Sequence, residues 1–347
     1  MKNYLALKIN KLTQEAGVYI FKDKQENILY IGKAKNLRKR VKGHFLKKSG
    51  HFLDFTPQVN DLDYIETDSE QDAFILEAQL INKYQPKYNI RFKDDKSYVY
   101  VAIAKHGWWR VYTTHQPKAE KGEKKIIGPY ISSQELKLFL AKIRKILPFC
   151  SCLNLKKSSC LYADIALCPA PFKKNFDPVL YLNILKTLET LLRLYRFGEK
   201  IRVEAYDASN ISGTAAVGSM VVYQNDKIDK SQYRMFKIKT IQGQNDVASL
   251  REILFRRLKH KEWPMPDLII LDGGKAQLKA AAQIKIPTLA LSKIDRSSGK
   301  LHSKFSKSSI SLNSLPQLLK HILLNLRDEA HRFAITYHKK RRLKLIK

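Results

Sequence analysis

The chain has 347 residues, enough for two domains, and 44% of them are hydrophobic, which excludes wholesale disorder. Lys and Arg number 64 against 32 Asp and Glu, a net charge of +32 spread along the whole length, so the expected partner is an extended polyanion. A membrane is not that polyanion: no apolar run approaches the roughly 20 residues that span a bilayer, MKNYLALKINKL lacks a signal-peptide core, and the expected location is the cytoplasm.

Residues 17–21 (GVYIF) and 28–32 (ILYIG) alternate as strands do, with DKQEN as the turn between them. They bring Tyr19 and Tyr30 close in sequence to Lys33, Arg38 and Arg40. Asn36 predicts the cap of a helix running to His44, with Leu37 and Val41 inside and Lys35, Arg38, Lys39 and Lys42 outside. Thr67-Asp-Ser-Glu70 reads as a capping box, and its helix runs to about Tyr84, before Pro86. Phe74, Leu80, Ile81 and Tyr84 form the apolar face of that helix, and Glu77 sits among them. A carboxylate there is costly unless paired or metal-bound, and a salt-bridged core residue and a metal ligand are both open readings.

The chain then turns basic around QPKAEKGEKK. The expected organisation is a first domain at 1–96, a basic linker region with a cysteine cluster at 97–178, and a second domain at 179–347. That second block holds the amphipathic YLNILKTLETLLRLY, then strands at RVEAYDAS, AVGSMVVYQ, YRMFKIK and DLIILD, and a long helix from about Pro316 to His338. This order predicts an α/β domain with a mixed sheet. The Ser- and Lys-rich SKIDRSSGKLHSKFSKSS reads as a loop.

Phosphodiester hydrolysis needs an activated water, charge relief on the phosphate oxygens and stabilisation of the leaving oxygen. Tyr19, Tyr30, Lys33, Arg40 and Glu77 supply such groups in the first block. In the second, Asp207 lies within an apolar strand, and Asp272 ends another just before Gly273-Gly274, where ligands bind in α/β sheets. Two Asp on neighbouring strands suit a divalent cation, and His331 on the last helix can complete the set. Asp246 is a further metal candidate, and equally an N-cap for the helix ASLREILFRRL. Cys150, Cys152, Cys160 and Cys168 can hold zinc or an iron–sulfur cluster, or simply pack as small thiols.

These residues together resemble the UvrC family. GVYIFKD, LYIGKAKNLRKRV, LEAQLINKYQPKYN and DDKSY resemble its GIY-YIG domain; GPY and CLYADIALCPAP resemble its middle; YDASN, GSMVVY, PDLIILDGG and RDEAHRFAITYHKKR resemble its RNase H-like endonuclease domain. The resemblance implies an α+β or α/β two-domain nuclease of excision repair, using Mg2+ or Mn2+, that cuts DNA 3′ of a lesion with the first domain and 5′ with the second. It implies that Tyr30 acts on the attacking water, that Tyr19 and Lys33 support it, that Arg40 contacts the phosphate and that Glu77 holds the metal. Lys35, Arg38, Lys39 and Asn89 fall among its DNA-contacting positions, and Asp207, Asp272 and His331 match its catalytic set, with Asp246 a further acidic position. The chain departs from the family where His44 replaces a tyrosine, and where Phe172 stands in place of a fourth cysteine, so that Cys150 would have to complete an iron–sulfur site. The implied partners are DNA, UvrB and, indirectly, UvrA, although the UvrB-binding coiled-coil motif and the helix-hairpin-helix repeats have no counterpart in the sequence. A stand-alone structure-specific nuclease is the alternative.

Overall fold

The computed structural model describes residues 3–46, 55–67, 73, 76–77, 80–81, 84–89, 99–116, 123–130, 132–152, 160–196, 199–209, 217–239, 245–295 and 298–345. Asp68–Glu70 of the expected capping box, Phe74 and the DDKSY run lie outside these residues. The chain divides into two units, Met1–Tyr98 and Val99–Lys347. Among the described residues no helix is long and apolar enough to cross a membrane.

The first unit is built on a three-stranded antiparallel sheet in the order β2 (Ile28–Ala34), β1 (Gly17–Lys22), β3 (Asp61–Glu66). The period-2 alternation of β1 sends Tyr19 and Phe21 to one face and Val18 and Ile20 to the other. On the first face, α1 (Asn3–Asn10) and α2 (Leu37–Leu46) close a core with Leu37 and Val41, as their spacing predicts. Asn36 caps α2, its Oδ1 accepting from the Lys39 amide at 2.9 Å. On the second face, Ala73 and Ile81 are buried against Val18, Ile20 and Ile31, with Leu76 and Leu80 packed alongside. Residues 73, 76, 77, 80, 81 and 84 are helical. Tyr84, two residues before Pro86, does not join that core, being 45% exposed.

The second unit opens with the antiparallel sheet β5 (Trp108–Thr114), β4 (Val99–His106), β6 (Lys124–Tyr130), followed by α3 (Ser133–Ile143). These elements, and the four cysteines, fall within 97–178, read from the sequence as a basic linker region. Next comes α4 (Pro178–Tyr195), capped by Asp177, whose carboxylate accepts from the Val179 and Leu180 amides. Tyr130 of β6 donates to the Leu192 carbonyl of α4, tying helix to sheet.

A mixed eight-stranded sheet follows, in the order β10 (Arg234–Lys237), β8 (Val217–Gln224), β7 (Arg202–Ser209), β11 (Leu268–Asp272), β12 (Thr288–Lys293), β13 (Gly299–Ser303), β14 (Ser309–Ser311), with β9 (Lys227–Ile228) against β8. Strands β7, β11 and β12 are parallel, and the other pairs antiparallel. One face is covered by α5 (Asp246–Lys259) and a 3-10 turn at Gln277–Ala281 around Tyr206, Leu254, Ile269 and Leu271. The other carries α6 (Gln317–Leu345), which Ser219 pins through a 2.8 Å bond to the Ala330 carbonyl.

The segment 292–309, expected as a loop, instead supplies the end of β12, all of β13 and the start of β14. Leu301, paired with Leu291 and fully buried, carries this hairpin, and the buried Ser303 lets a serine-rich stretch behave as strand. The cap of α5 is Asn245, whose side chain accepts from the Ala248 amide at 2.9 Å, and not Asp246, which begins the helix proper. Asn245 reaches the third amide of the first turn, as a cap must.

Candidate active sites

At the first site, β1 and β2 hold Tyr19 and Tyr30 with ring centroids 6.1 Å apart. Tyr19 is fully buried, and its hydroxyl lies 2.6 Å from His44 Nε2 and bonds Arg40 as well. Burial pushes the Tyr19 hydroxyl well above its ordinary range, so it stays protonated. Burial, with the Arg40 charge, pulls His44 down to about 4, so the imidazole is neutral at physiological pH. Tyr30 is less enclosed, and stacks on Phe55 at 5.2 Å. The glycine at 32 is required sterically, because a Cβ there would collide with the Tyr19 ring and hydroxyl.

Glu77 comes from the helix on the opposite face, and its Oε1 accepts from the Lys33 amide at 2.9 Å. Burial raises its pKa above the ordinary carboxylate value, partly offset by that hydrogen bond and by the Lys33 and Arg40 charges. A half-buried carboxylate beside two cations, with one oxygen tied to the backbone, leaves its other oxygen for a cation. Lys35 and Lys39 are exposed on the basic face of α2. Arg38 is tethered, its Nε donating to the Leu12 carbonyl at 2.7 Å. Asn89, expected among the DNA-contacting residues, is buried, and its amide brackets Ile31, accepting from the backbone N–H at 2.8 Å and donating to the carbonyl at 2.7 Å. With one donor and one acceptor bond to β2, Asn89 positions that strand.

At the second site, β7 and β11 run parallel with Leu271 level with Tyr206, so the next residues, Asp272 and Asp207, face α6 side by side. His331 of α6 meets them, its Nδ1 3.1 Å from Asp207 Oδ2. One ligand atom from each of the three lies within 4.8 Å of the others, and among the described residues no other trio of His, Cys, Asp or Glu does this. Asp272 is pushed up to about 6 by burial and by the Asp207 charge. Asp207 is also raised by burial, against the lowering effect of His331. Two desolvated carboxylates held together are an electrostatic penalty that a divalent cation removes, so the residues present fit such an ion. Asp246 is exposed at the start of α5, close enough for its charge to act on Asp207 but outside the trio.

Elsewhere in the second unit the four cysteines gather. Cys152 and Cys160 Sγ are 3.9 Å apart, and the Cys150 thiol bonds both Cys168 and Cys152. The hydrogen bond to Cys168 pulls Cys150 down to about 6, which favours a thiolate there. A tetrahedral zinc would need its sulfurs ~3.8 Å apart in every pair, from bonds of about 2.3 Å. Here the sulfurs form a chain, and no three lie within 4.8 Å of one another.

Three groups escaped the sequence reading. Glu204, three residues before Asp207 on β7, is fully buried between Arg202 and Arg257. Tyr233 donates to Glu329, which also binds Arg332, one residue beyond His331. Ser292 and His302 bond across β12 and β13 at 2.8 Å. Only the last had a signal, a histidine within an alternating GKLHS stretch.

Three family models match the chain in succession: a UvrC-like GIY-YIG domain at 15–90, a UvrC/Cho excinuclease middle domain at 98–189 and a UvrC RNAse H endonuclease domain at 192–335. A UvrABC system protein C from Methanococcus maripaludis is 25% identical, aligned over 96% of this chain and 98% of its own. One from Streptococcus pyogenes is 25% identical over 99% of this chain and 89% of its own. These alignments, of 526 and 536 positions, are longer than this chain, so the relatives carry segments without a counterpart here. The magnesium-bound GIY-YIG N-terminal endonuclease domain of UvrC from Thermotoga maritima is 42% identical, covering 26% of this chain and 99% of that one, with a TM-score of 0.24. With the GIY-YIG, middle and RNase H domains all matched, the chain belongs to the UvrC family of excinuclease endonucleases.

Proposed function

We propose that the chain cuts damaged DNA twice, 3′ of the lesion at the Tyr19–Tyr30–Glu77 site and 5′ at the Asp207–Asp272–His331 site. The observation that carries this reading is the convergence of Asp207, Asp272 and His331 in a chain whose first unit separately gathers Tyr19, Tyr30, Lys33, Arg40 and Glu77. A divalent cation, Mg2+ or Mn2+, held by Glu77 or by Asp207 and Asp272 supplies charge relief on the phosphate and the leaving oxygen. At the first site Tyr30, the more accessible ring, orients the attacking water, and Arg40 neutralises the phosphate while the protonated Tyr19, itself bonded to His44, holds Arg40 in place. Lys33 adds positive charge beside Glu77, and the exposed Lys35 and Lys39, with Arg38, guide the DNA backbone. At the second site His331, with 54% of its side chain exposed, keeps Nε2 open for a proton transfer or the ion.

The parts run 1–96, 97–178 and 179–347. The four gathered thiols offer ligands for an iron–sulfur cluster, and equally for an all-thiolate zinc. Iron and sulfide analysis of anaerobically purified protein tests the cluster, and protein free of both would end that idea. UvrB, with UvrA upstream of it, is the expected partner in the cytoplasm. One observation favours the alternative of a nuclease acting without UvrB: the apolar face of α4 (Tyr181, Ile184, Leu188, Leu191) is buried in the chain's own core and is not free for a coiled coil.

The experiment is incision of a lesion-bearing duplex with UvrA and UvrB added in turn. Glu77→Gln should abolish the 3′ cut, and Asp207→Asn the 5′ cut on a duplex already nicked 3′. Loss of both cuts from either change on prenicked DNA would end the two-site reading.

A further inference from the structure

A groove of about 740 Å³ lies between the start of α4 and the 3-10 turn after β11, on the α5 side of the sheet whose other face carries Asp207 and Asp272. Its lining carries Lys275, Lys279 and Lys304, all exposed, together with the exposed Val179 and Leu180 and the buried Leu278. Lys275 directly follows Gly273-Gly274, the turn that ends the strand bearing Asp272, so the groove begins where the catalytic strand stops. Gly273 takes a φ of +123°, a conformation that turns the chain sharply away from β11. One carboxylate also lines the groove, that of Asp177, whose Oδ1 caps α4 by accepting from two amides and which keeps its negative charge against the three lysines.

A second feature adjoins it. Ser292 and His302 bond at 2.8 Å on the strands next to β11, and a Cβ at Gly274 would stand 4.0 Å from that of Ser292. The charges acting on His302 are those of Lys300 and Lys275, both positive, and with burial they lower its basicity, keeping the imidazole neutral. Lys304 is partly desolvated, its ammonium donating to the Ile284 carbonyl at 3.3 Å. Cations and neutral donors collected on one rim are complementary to an anion.

We propose that the groove and the Ser292–His302 pair seat a single-stranded stretch of the DNA backbone flanking the second cut, with the three lysines on phosphates. This rests on the assignment of the second cut to Asp207, Asp272 and His331. A positively charged groove that tracks a strand is how single-stranded nucleic acid is held without sequence preference. Aliphatic side chains share the lining with the lysines, so sugars rest against them, and the lysines, which act as point charges, do the recognising.

The test uses the full chain and a duplex already nicked on the 3′ side, with the second incision as readout. Lys275→Gln, Lys279→Gln and Lys304→Gln combined should raise KM about tenfold at 0.1 M salt while changing kcat far less. They should also flatten the salt dependence of binding by roughly 0.9 in slope for each phosphate no longer neutralised. The same three positions changed to Arg should restore both. Ser292→Ala with His302→Gln, read the same way, should also raise KM, which keeps the proposal testable if the triple variant folds poorly. Unchanged KM and salt slope in the folded variants would overturn it. So would normal cutting of free prenicked DNA with loss only of partner-dependent incision, which would make the groove a docking face for an acidic protein. Asp207→Asn separates the two questions: if it still made the second cut, the site assignment would fail, while its DNA-binding salt slope would still report on the groove.

Discussion

At the scale of single residues, the second site is a place where stability is given up for chemistry. Burial and the Asp207 carboxylate hold Asp272 at about 6, above the ordinary carboxylate value near 4. The ionised form is thus disfavoured in the folded chain, so the metal-free protein is weakened above pH 6 and recovers as the pH falls from 6 towards 4. Asp272→Asn should raise metal-free stability at pH 7.5 by about 2 kcal/mol, after discounting for the solvent-facing part of the site. It should also flatten that pH dependence and remove the magnesium stabilisation of the second unit, while abolishing the second cut. Urea melts with and without magnesium check this, and a variant less stable than the parent would contradict it. His44 makes the complementary point at the first site. A neutral imidazole 2.6 Å from the Tyr19 hydroxyl does what a hydroxyl in its place would do, taking a hydrogen bond without adding charge beside Arg40.

At the scale of elements, β7 shows how one strand serves two purposes. Glu204 and Tyr206 point to the α5 face, and Asp207 to the α6 face, because side chains alternate. Glu204 is held by Arg257 through bonds of 2.9 and 3.0 Å, by Arg202 at 2.9 Å and by the Tyr206 hydroxyl at 2.6 Å. This network locks α5 to β7 behind the catalytic face. Glu204→Gln would leave two buried guanidinium groups without a countercharge, and should cost about 3–5 kcal/mol. Equilibrium unfolding checks it, with Glu204→Met plus Arg257→Met expected to regain part of the loss; a cost below about 1 kcal/mol would mean the network is not what holds the pair. The hairpin over β12 and β13 was hidden from sequence reading for a related reason. Serine is read as loop, yet Ser292 and Ser303 are strand residues whose hydroxyls find partners in His302 and the Ile146 carbonyl.

At the scale of the whole molecule, the charge of +32 and the two ordered motif sets were legible directly, because net charge and residue spacing survive without coordinates. So were the antiparallel start of the first unit, the Asn36 cap and the mixed sheet of the second, since period-2 alternation and capping are local properties. Membership of the Asp-Asp-His trio was also legible, on family resemblance and on Asp207 being out of character in an apolar strand. What only the tertiary structure decided was which polar groups are spent and which are free. Glu204 and Asp207 look alike in sequence, two carboxylates on one strand, but one is neutralised by arginines from α5 and its own strand and the other faces Asp272. Asn89, expected as a DNA contact, is bound to both backbone groups of Ile31; Ser292 and His302 looked like loop and meet on a sheet. The physical reason is the same throughout: residue type and spacing determine what a side chain can do, while burial and partners distant in sequence determine whether anything is left for a substrate.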